Sequence, residues 1–487
     1  MTDLFFLKFR IQYIERKCNF MSQLKKNQLS YVEAMAISVA IMAPTAAMAL
    51  NTSLTASIAG VSVPLIFLVA MITIGLVAVT FIQFNRQFSH SGSVYYFTGI
   101  SLGPKLGFLS GWALLLTYVM FTIASIAEVG AFAESFFSLL NIEIDWFPIA
   151  LVSSVLIWIF AFADVKIGTR ALLILEGISV IFILILVFVI FGKADFSSEA
   201  FVKPFSPGQN TIPAIALATV FAFLSFAGFE GASSLGEETK NPKKAIPIAI
   251  ISAVFLTGLF YIVVSFATTI GFGLDSEGNG NFAKSSAPLA DLADMYMSRG
   301  FAAAIMFGAF LSAFSCALAS ATAGSRMLFS MGRDGFIHQK VGATHKKYHS
   351  PYIALSVIMV ISLIALFPLK GIGLDGGLIF GYLGTIGVLS LLLTYLVTTI
   401  GGMRYFVKNK IWKGPILILP ALAVIGLGYS LYSNVFPIPA APFNYFPYIV
   451  IGWILLGVII TALNPALVSR IAERLMSDEE SQNDISA

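Results

Sequence analysis

Residues 221–248 read FAFLSFAGFEGASSLGEETKNPKKAIPI, and this stretch decides the fold. It begins as an apolar helix, is interrupted at Ser225–Gly228, and resumes with a carboxylate, Glu230, inside the hydrophobic run. Glycine lets a backbone leave helical geometry at little steric cost, and a bilayer tolerates unwound backbone only where protein or a cavity surrounds it. The stretch therefore predicts a broken membrane helix that holds a binding site. The alternative is a kinked helix with Glu230 near the membrane surface.

The composition is that of a polytopic helical membrane protein. Of 487 residues, 58% are hydrophobic and 11% are charged, whereas soluble proteins carry about 25% charged residues. The two cysteines, Cys18 and Cys316, lie far apart and predict neither a disulfide nor a metal site. Twelve segments are long and apolar enough to cross a bilayer. They cover approximately 32–58, 62–85, 106–138, 147–164, 168–192, 211–236, 245–272, 298–330, 351–368, 376–402, 414–435 and 444–464.

The distribution of basic residues predicts the orientation. With the N-terminus inside, 24 of the 29 lysines and arginines fall in cytoplasmic segments, as the positive-inside rule requires. We therefore expect a multi-pass protein of the cell membrane with both termini in the cytoplasm. Residues 1–30 and 467–487 would be cytoplasmic tails around one membrane domain, 31–466. The first 30 residues contain no convincing secretory signal, and Met21 offers an alternative start.

The first span is interrupted as well. Residues 34–53 read AMAISVAIMAPTAAMALNTS, in which Pro44 removes a backbone donor and clashes with the preceding turn. Breaks near 44 and 227 are about 183 residues apart, the length of one five-helix unit, and paired interruptions in two halves are typical of a transporter site. We expect non-helical backbone near 43–47 and 225–228, facing each other at mid-depth. The two repeats would cover about 32–192 and 211–402, with added helices at about 414–464.

Other polar residues within the spans have two interpretations each. Glu128 could face the pathway or lie near the outer rim, and Glu176 could relay protons or only form hydrogen bonds, since a carboxylate is costly to charge at that depth. Tyr96 is either a gate residue or an interfacial aromatic. In the eighth span, Ser312 and Ser315 recur among small residues that favour close helix packing. These hydroxyls could also coordinate a small cation.

Four stretches resemble the amino acid–polyamine–organocation superfamily. They are GFEGASSLGEETKNPKKAIPIAI at 228–250, SGSVYYFTGISLGPKLGFLSGW at 91–112, SAPLADLADM at 286–295 and GSRMLFSMGRDGFI at 324–337, in the order of that superfamily. The resemblance implies an all-α fold of 12 transmembrane helices. Five plus five helices form an inverted repeat in which helices 1 and 6 are broken, and two more helices follow. It also implies a secondary transporter, most often of amino acids.

The chain departs from the family pattern at two places. Met42-Ala43-Pro44-Thr45-Ala46 replaces the Gly-Ser/Ala-Gly run of the first break, whose amides normally meet the substrate carboxylate. Some members carry a lysine in the fifth span where relatives of the same fold bind sodium. This span has none, and Ser179 aligns best with that position.

We predict alternating-access transport of an amino acid, coupled to protons or to exchange. Amides near Thr45–Ala47 and the half-helix dipole would face the substrate carboxylate. Carbonyls of residues 223–227 would accept hydrogen bonds from the substrate ammonium group. Phe223 and Phe226 would form an aromatic lid over the site. The predicted substrate-binding residues are Ala43, Thr45, Ala46, Ala47, Phe223, Ser225, Phe226, Ala227 and Gly228. The gating or proton-coupling candidates are Glu230, Glu176, Tyr96 and Glu128, and the alternative sodium ligands are Ser312, Ser315 and Ser179.

Two other functions fit the sequence less well. A polyamine or cationic amino acid transporter of the same fold would use the buried glutamates as counter-charge. A membrane sensor would need an output domain, and only about 20 residues follow the last span. An intramembrane enzyme is not expected, because the four histidines (His90, His338, His345 and His349) all fall in predicted cytoplasmic loops. We expect no cofactor and no nucleic acid partner, a lipid environment, and either a monomer or a homodimer.

Overall fold

The computed structural model describes residues 24, 26–162, 165–194, 198–465, 468–469 and 471–473, with side chains for all of these except 165–169. Most of both predicted tails, including Cys18, lie outside these residues. The described residues fold into helices joined by short loops, and their one β contact is an isolated parallel bridge between Leu29 and Thr239.

The predicted all-α fold with twelve spans is confirmed over the described residues. Ten segments are long and apolar enough to cross a membrane; one of them, Tyr31–Gln87, contains two spans, and the 17-residue helix Trp146–Phe162 adds the twelfth. In chain order the spans are Tyr31–Met42 with Pro44–Ala59, Val63–Gln87, Pro104–Leu139, Trp146–Phe162, Val165–Lys193, Ile212–Phe226 with Phe229–Leu235, Pro242–Phe272, Arg299–Arg333, Tyr352–Gly371, Gly376–Lys408, Ile418–Ser433 and Phe446–Leu463. They are called spans 1 to 12 below.

Four short helices connect the spans. Val94–Leu102 lies between spans 2 and 3, Ser198–Val202 follows span 5, and Ser276–Lys284 and Pro288–Tyr296 precede span 8. The helix Val94–Leu102 approaches span 3 closely because Gly107 faces it: a Cβ at Gly107 would lie 2.6 Å from the Gly99 Cα.

The broken spans lie in the centre of the bundle. Span 3 packs along spans 8 and 10, while the first half of span 1 contacts the second half of span 6 and spans 5, 7 and 8. The walls of the bundle are built from helices whose outer faces are apolar and exposed, as a lipid-facing surface requires. The two interruptions therefore meet inside protein rather than at the lipid boundary.

Ion pairs join several spans at one end of the bundle, which we call the N-terminal face and define by Leu29, His90, Glu238 and Arg333. Arg326 of span 8 donates to Glu238 after span 6, with Nε–Oε2 at 2.5 Å and Nη2–Oε1 at 3.2 Å. Both side chains are buried. The Glu238 carbonyl also accepts from the Leu29 amide at 3.1 Å, so this pair anchors the segment that leads into span 1.

A second ion pair lies beside the first. Glu237 accepts from Arg333 through both carboxylate oxygens, at 2.9 and 3.0 Å, and from the Ser91 amide at 3.0 Å. Burial alone would raise the pKa of Glu237, but the Arg333 guanidinium lowers this pKa well below its ordinary value. The pair is therefore ionised at neutral pH, and its contribution to stability is lost progressively as the pH falls from the ordinary pKa of a glutamate toward the lowered pKa of Glu237.

We expect Arg326→Leu to lower the free energy of unfolding by about 3–5 kcal/mol, because it leaves the buried Glu238 carboxylate without its ion pair. Thermal unfolding of the detergent-solubilised protein measures the loss. Arg404→Leu is the matched control, since Arg404 is exposed and its replacement should change stability by at most about 0.5 kcal/mol. Equal melting temperatures for the two variants would contradict a buried ion pair.

Candidate functional site

The break of span 1 is one residue wide. Its first half ends at Met42, Ala43 adopts a left-handed conformation with φ 41° and ψ 65°, and a helix resumes at Pro44. The expectation of non-helical backbone over 43–47 was too wide. Proline lacks an amide hydrogen and has a helical φ, so it fits the first position of a helix and starts the second half at once.

The break of span 6 covers two residues. The helix ends at Phe226, Ala227 is extended, Gly228 has a φ of 96°, and a 3₁₀ helix follows over Phe229–Leu235. Ser225, which the prediction placed in the break, is still helical. The two breaks touch, because a Cβ on Gly228 would lie 2.0 Å from the Cγ2 of Ile41 in span 1.

One tyrosine bridges the two breaks. The Tyr261 hydroxyl, in span 7, lies 2.8 Å from the Met42 carbonyl oxygen and 2.7 Å from the Ser225 carbonyl oxygen. The Cys316 thiol of span 8 donates to the neighbouring Ile41 carbonyl at 3.1 Å. The single hydroxyl hydrogen of Tyr261 can serve one of its two carbonyls at a time. Side chains from other spans thus supply the donors for carbonyls that the breaks release from helical hydrogen bonding, as the membrane interior requires.

Glu176 holds the start of the second half of span 1. Its Oε1 accepts from the Thr45 amide at 3.2 Å and from the Ser312 hydroxyl at 3.0 Å. The Ser312 oxygen in turn accepts from the Ala46 amide at 3.2 Å. The amides that were predicted to face a substrate therefore bond to the protein's own side chains in this conformation.

Glu230 has a different environment. It is buried just after the break of span 6, and each carboxylate oxygen has a tyrosine partner: Tyr118 of span 3 donates to Oε1 at 2.8 Å, and Tyr395 of span 10 donates to Oε2. The carboxylate ties span 6 to both of these spans. A buried carboxylate that accepts such bonds stabilises the packing around it.

A small buried cavity adjoins both breaks, and we call it the central cavity. It is lined by Ile41, Met42, Ala43, Ala46, Ala47, Asn51, Phe121, Ala124, Ser125, Glu128, Leu224, Cys316 and Phe380. The space open to the centre of a water molecule is about 20 Å³, so the cavity is large enough for a single water. A larger ligand therefore requires the walls to move apart.

Acceptor oxygens dominate the polar atoms of the central cavity. Glu128 is 1% exposed and its Oε1 has no hydrogen-bond partner among the described residues. The Oδ1 of Asn51 likewise lacks a partner, while the Asn51 amide nitrogen donates to the Ser225 hydroxyl at 2.9 Å. Glu128 therefore lies beside the two breaks and lines the central cavity, and its role on a pathway stays a prediction.

The structure separates the predicted substrate residues into two groups. Ala43, Ala46 and Ala47 line the central cavity. The rest surround it without lining it: Thr45, Phe223, Ser225, Phe226, Ala227 and Gly228. Phe226 packs against Tyr261 with ring centroids 5.0 Å apart. Phe121 and Phe380 supply the aromatic lining of the cavity, and the lid of Phe223 and Phe226 stays a prediction.

The remaining candidates lie away from the cavity. Tyr96 is buried at the N-terminal face and stacks on His90 with ring centroids 4.6 Å apart, so it is not at the lipid interface. The one hydroxyl hydrogen of Ser179 lies within reach of the Leu175 and Gly308 carbonyls, both at 2.8 Å. The described residues contain no group of three or more His, Cys, Asp or Glu side chains that could hold a metal ion.

A family profile described as "Amino acid permease" matches residues 33–461. The chain belongs to the amino acid permease family. This match extends from span 1 into span 12 and confirms the resemblance to the amino acid–polyamine–organocation superfamily.

Curated relatives of this permease differ in substrate. It is 26% identical over 321 residues to the low-affinity putrescine importer PlaP of Escherichia coli K12, covering 62% of this chain and 67% of that protein. It is 28% identical over 317 residues to the branched-chain amino acid permease BcaP of Bacillus subtilis, covering 61% and 65%. Cationic amino acid transporter 4 of Mus musculus is 27% identical over 401 residues, covering 77% and 60%.

Solved structures of a manganese transporter from Eremococcus coleocola share the permease's fold. One has a TM-score of 0.58 at 12% identity and covers 92% of this chain and 100% of that chain. A second, in complex with an aromatic bis-isothiourea substituted compound, has a TM-score of 0.54 at 14% identity. The likeness extends to the fold alone.

Several residues on other spans surround the two breaks and were not predicted from the sequence. They are Tyr118, Phe121, Ser125, Tyr261, Cys316, Phe380 and Tyr395. In an apolar span these residues look like ordinary core positions, and only the rotation of each helix decides which of them face the breaks.

Gly228→Ala should impair both folding and transport in this permease. An alanine at φ 96° costs about 1–2 kcal/mol, and its Cβ would clash with Ile41. Melting temperature and substrate uptake in proteoliposomes measure the two effects. Gly75→Ala in span 2 is the control, since no atom lies within 4 Å of a Cβ there. Wild-type stability and uptake in the Gly228 variant would show that the breaks do not pack as described.

Proposed function

We propose that this permease is a secondary active transporter that moves an amino acid across the cell membrane by alternating access, in symport with protons or by exchange. The observation that carries the proposal is the central cavity between the two helix breaks, with Glu128 at its wall. Family membership supports the class of function, and the transporter family argues against an enzyme.

The ammonium group of the substrate would bind at the acceptor oxygens of the cavity. Glu128 and Asn51 both present buried oxygens without partners, as described above. An ammonium group has three donors and a positive charge, so it can satisfy both oxygens and neutralise the carboxylate. Without a substrate these buried acceptors are costly.

The substrate carboxylate would bind at the start of the second half of span 1. Thr45 and Ala46 carry the first amides of a 16-residue helix, whose positive dipole end favours an anion. Ala46 lines the central cavity, so a substrate held by Glu128 has this helix end within the same chamber. Glu176 and Ser312 would have to release the two amides first.

Alternating access would open the two ends of the bundle in turn. The ion pairs of Arg326 with Glu238 and Arg333 with Glu237 hold the N-terminal face together, and the 24-to-5 distribution of basic residues favours a cytoplasmic location for this face. We propose that these contacts separate when the cavity opens toward the cytoplasm.

A second substrate class is favoured by one observation. Apart from Glu128, the described residues that line the central cavity include no acidic, lysine, arginine or histidine side chain, so they carry one negative charge when Glu128 is ionised. A polyamine or a cationic amino acid would be held by that charge. Relatives described as a putrescine importer and a cationic amino acid transporter are consistent with this class.

Uptake into proteoliposomes tests the proposed function. Radiolabelled L-leucine, L-ornithine and putrescine would be offered with an inward proton gradient, with an inward sodium gradient, or against preloaded unlabelled substrate. Accumulation of an amino acid that depends on the proton gradient or on exchange supports the proposal. Transport of putrescine alone favours the second class, and no transport of any amine or amino acid in a wider panel contradicts both.

Glu128→Gln should weaken substrate binding by about 10- to 150-fold, because a hydrogen bond to a charged group contributes about 1.5–3 kcal/mol. Equilibrium binding of the transported substrate measures the change. Glu134→Gln is the matched control, since Glu134 lies on the same span, nearly two turns away, and does not line the cavity. Unchanged binding by the Glu128 variant would remove this carboxylate from the substrate site.

A further inference from the structure

Glu176 occupies the place that the proposed function gives to the substrate carboxylate. Its Oε1 bonds the Thr45 amide directly and reaches the Ala46 amide through the Ser312 hydroxyl. Pro44 contributes no amide hydrogen at this helix end, and the Ala47 amide is already bonded to the Ala43 carbonyl at 2.8 Å. A substrate carboxylate can therefore obtain these two amides only by displacing Glu176.

Apart from the helix end, few groups in the protein stabilise the negative charge of the Glu176 carboxylate. Glu176 is 4% exposed, and among the described residues its Oε2 has no hydrogen-bond partner and the carboxylate forms no ion pair. The titratable groups that interact with it from neighbouring spans are Glu128, Tyr261 and Cys316. None of them is a cation, so the helix dipole is the main positive field that stabilises an ionised Glu176.

Displacement has an electrostatic consequence. A second carboxylate at the same helix end would compete for one pair of amides and one dipole, and like charges at such a distance cannot both stay ionised in a buried site. Glu176 loses its hydrogen bonds on displacement, whereas the substrate carboxylate gains them. The proton therefore goes to Glu176.

We propose that Glu176 is an internal stand-in for the substrate carboxylate and that it takes up the coupling proton when an amino acid replaces it. The inference rests on the proposed function and adds a stoichiometry to it. One proton from solvent binds Glu176 for each amino acid carboxylate that binds the helix end. When the substrate leaves, Glu176 returns the proton to solvent and bonds the two amides again.

This exchange predicts a dependence on substrate chemistry. Where free Glu176 is ionised, each unit fall in pH should tighten amino acid binding by about tenfold, because one proton binds with the substrate. An amine without a carboxylate leaves Glu176 in place, so its binding gains nothing from this site as the pH falls. L-ornithine and putrescine differ only by a carboxylate, and so do L-leucine and 3-methylbutylamine.

The experiment measures equilibrium binding of both pairs to the full-length permease in lipid nanodiscs between pH 6 and 8.5. We expect amino acid binding to tighten by about tenfold for each unit fall in pH while free Glu176 is ionised, and to level off once it is protonated, with a much smaller change for the matched amine. In Glu176→Gln the amino acid should bind without this pH dependence. Glu128→Gln, the control, should weaken both members of a pair and keep the difference in pH dependence between them.

Proton uptake by the wild-type protein provides a measurement that needs no variant. In weak buffer with a pH-sensitive dye, amino acid binding should consume about one proton more than binding of the matched amine. Equal proton uptake by both members, or an unchanged pH dependence in Glu176→Gln, would overturn the role of Glu176 alone. If neither member of either pair binds the wild-type permease, the proposed function and this inference both fail.

Discussion

The structure depends on one constraint: backbone groups released by a helix break inside a membrane must find partners within the protein. Each break frees carbonyls and amides that water cannot reach. The Tyr261 hydroxyl lies within hydrogen-bond distance of one carbonyl on each side and can donate to one of them at a time. Ser38 joins the spans by donating to the Phe229 carbonyl at 2.7 Å while accepting from the Ala232 amide at 2.9 Å. Because these partners come from different spans, the two breaks fix how spans 1, 6 and 7 pack.

Two buried glutamates accept hydrogen bonds beside the breaks, and their surroundings differ. Glu230 has a tyrosine donor on each oxygen and ties span 6 to spans 3 and 10, which favours the interpretation that it forms hydrogen bonds and stabilises packing. Glu176 has one bonded oxygen and one without a partner, and it holds the helix end that a substrate needs. A carboxylate that must be displaced is a better carrier for a proton than one that is fully bonded. Glu230 is the first coupling candidate from the sequence, and we propose Glu176 in its place.

The sequence predicted the spans well because a bilayer sets the length of an apolar helix, and it located both breaks because Pro44 and Gly228 act on the backbone locally. The width of the first break was overestimated because proline begins a helix as readily as it ends one. The partners of the breaks were not predictable. Whether Tyr261 or Phe226 faces a break depends on the rotation and packing of whole helices, and hydropathy patterns of nearly uniform apolar spans do not encode that rotation.

Cys316 offers a direct test of whether the cavity between the two breaks is the transport site. This thiol lines the cavity, and Cys18 is the only other cysteine in the chain. In a Cys18→Ser background, the rate at which a small methanethiosulfonate reagent labels Cys316 would be measured in proteoliposomes with and without saturating transported substrate. If the central cavity is the transport site, substrate will slow the labelling of Cys316 at concentrations that match its apparent affinity for transport. A labelling rate that saturating substrate leaves unchanged would contradict this assignment.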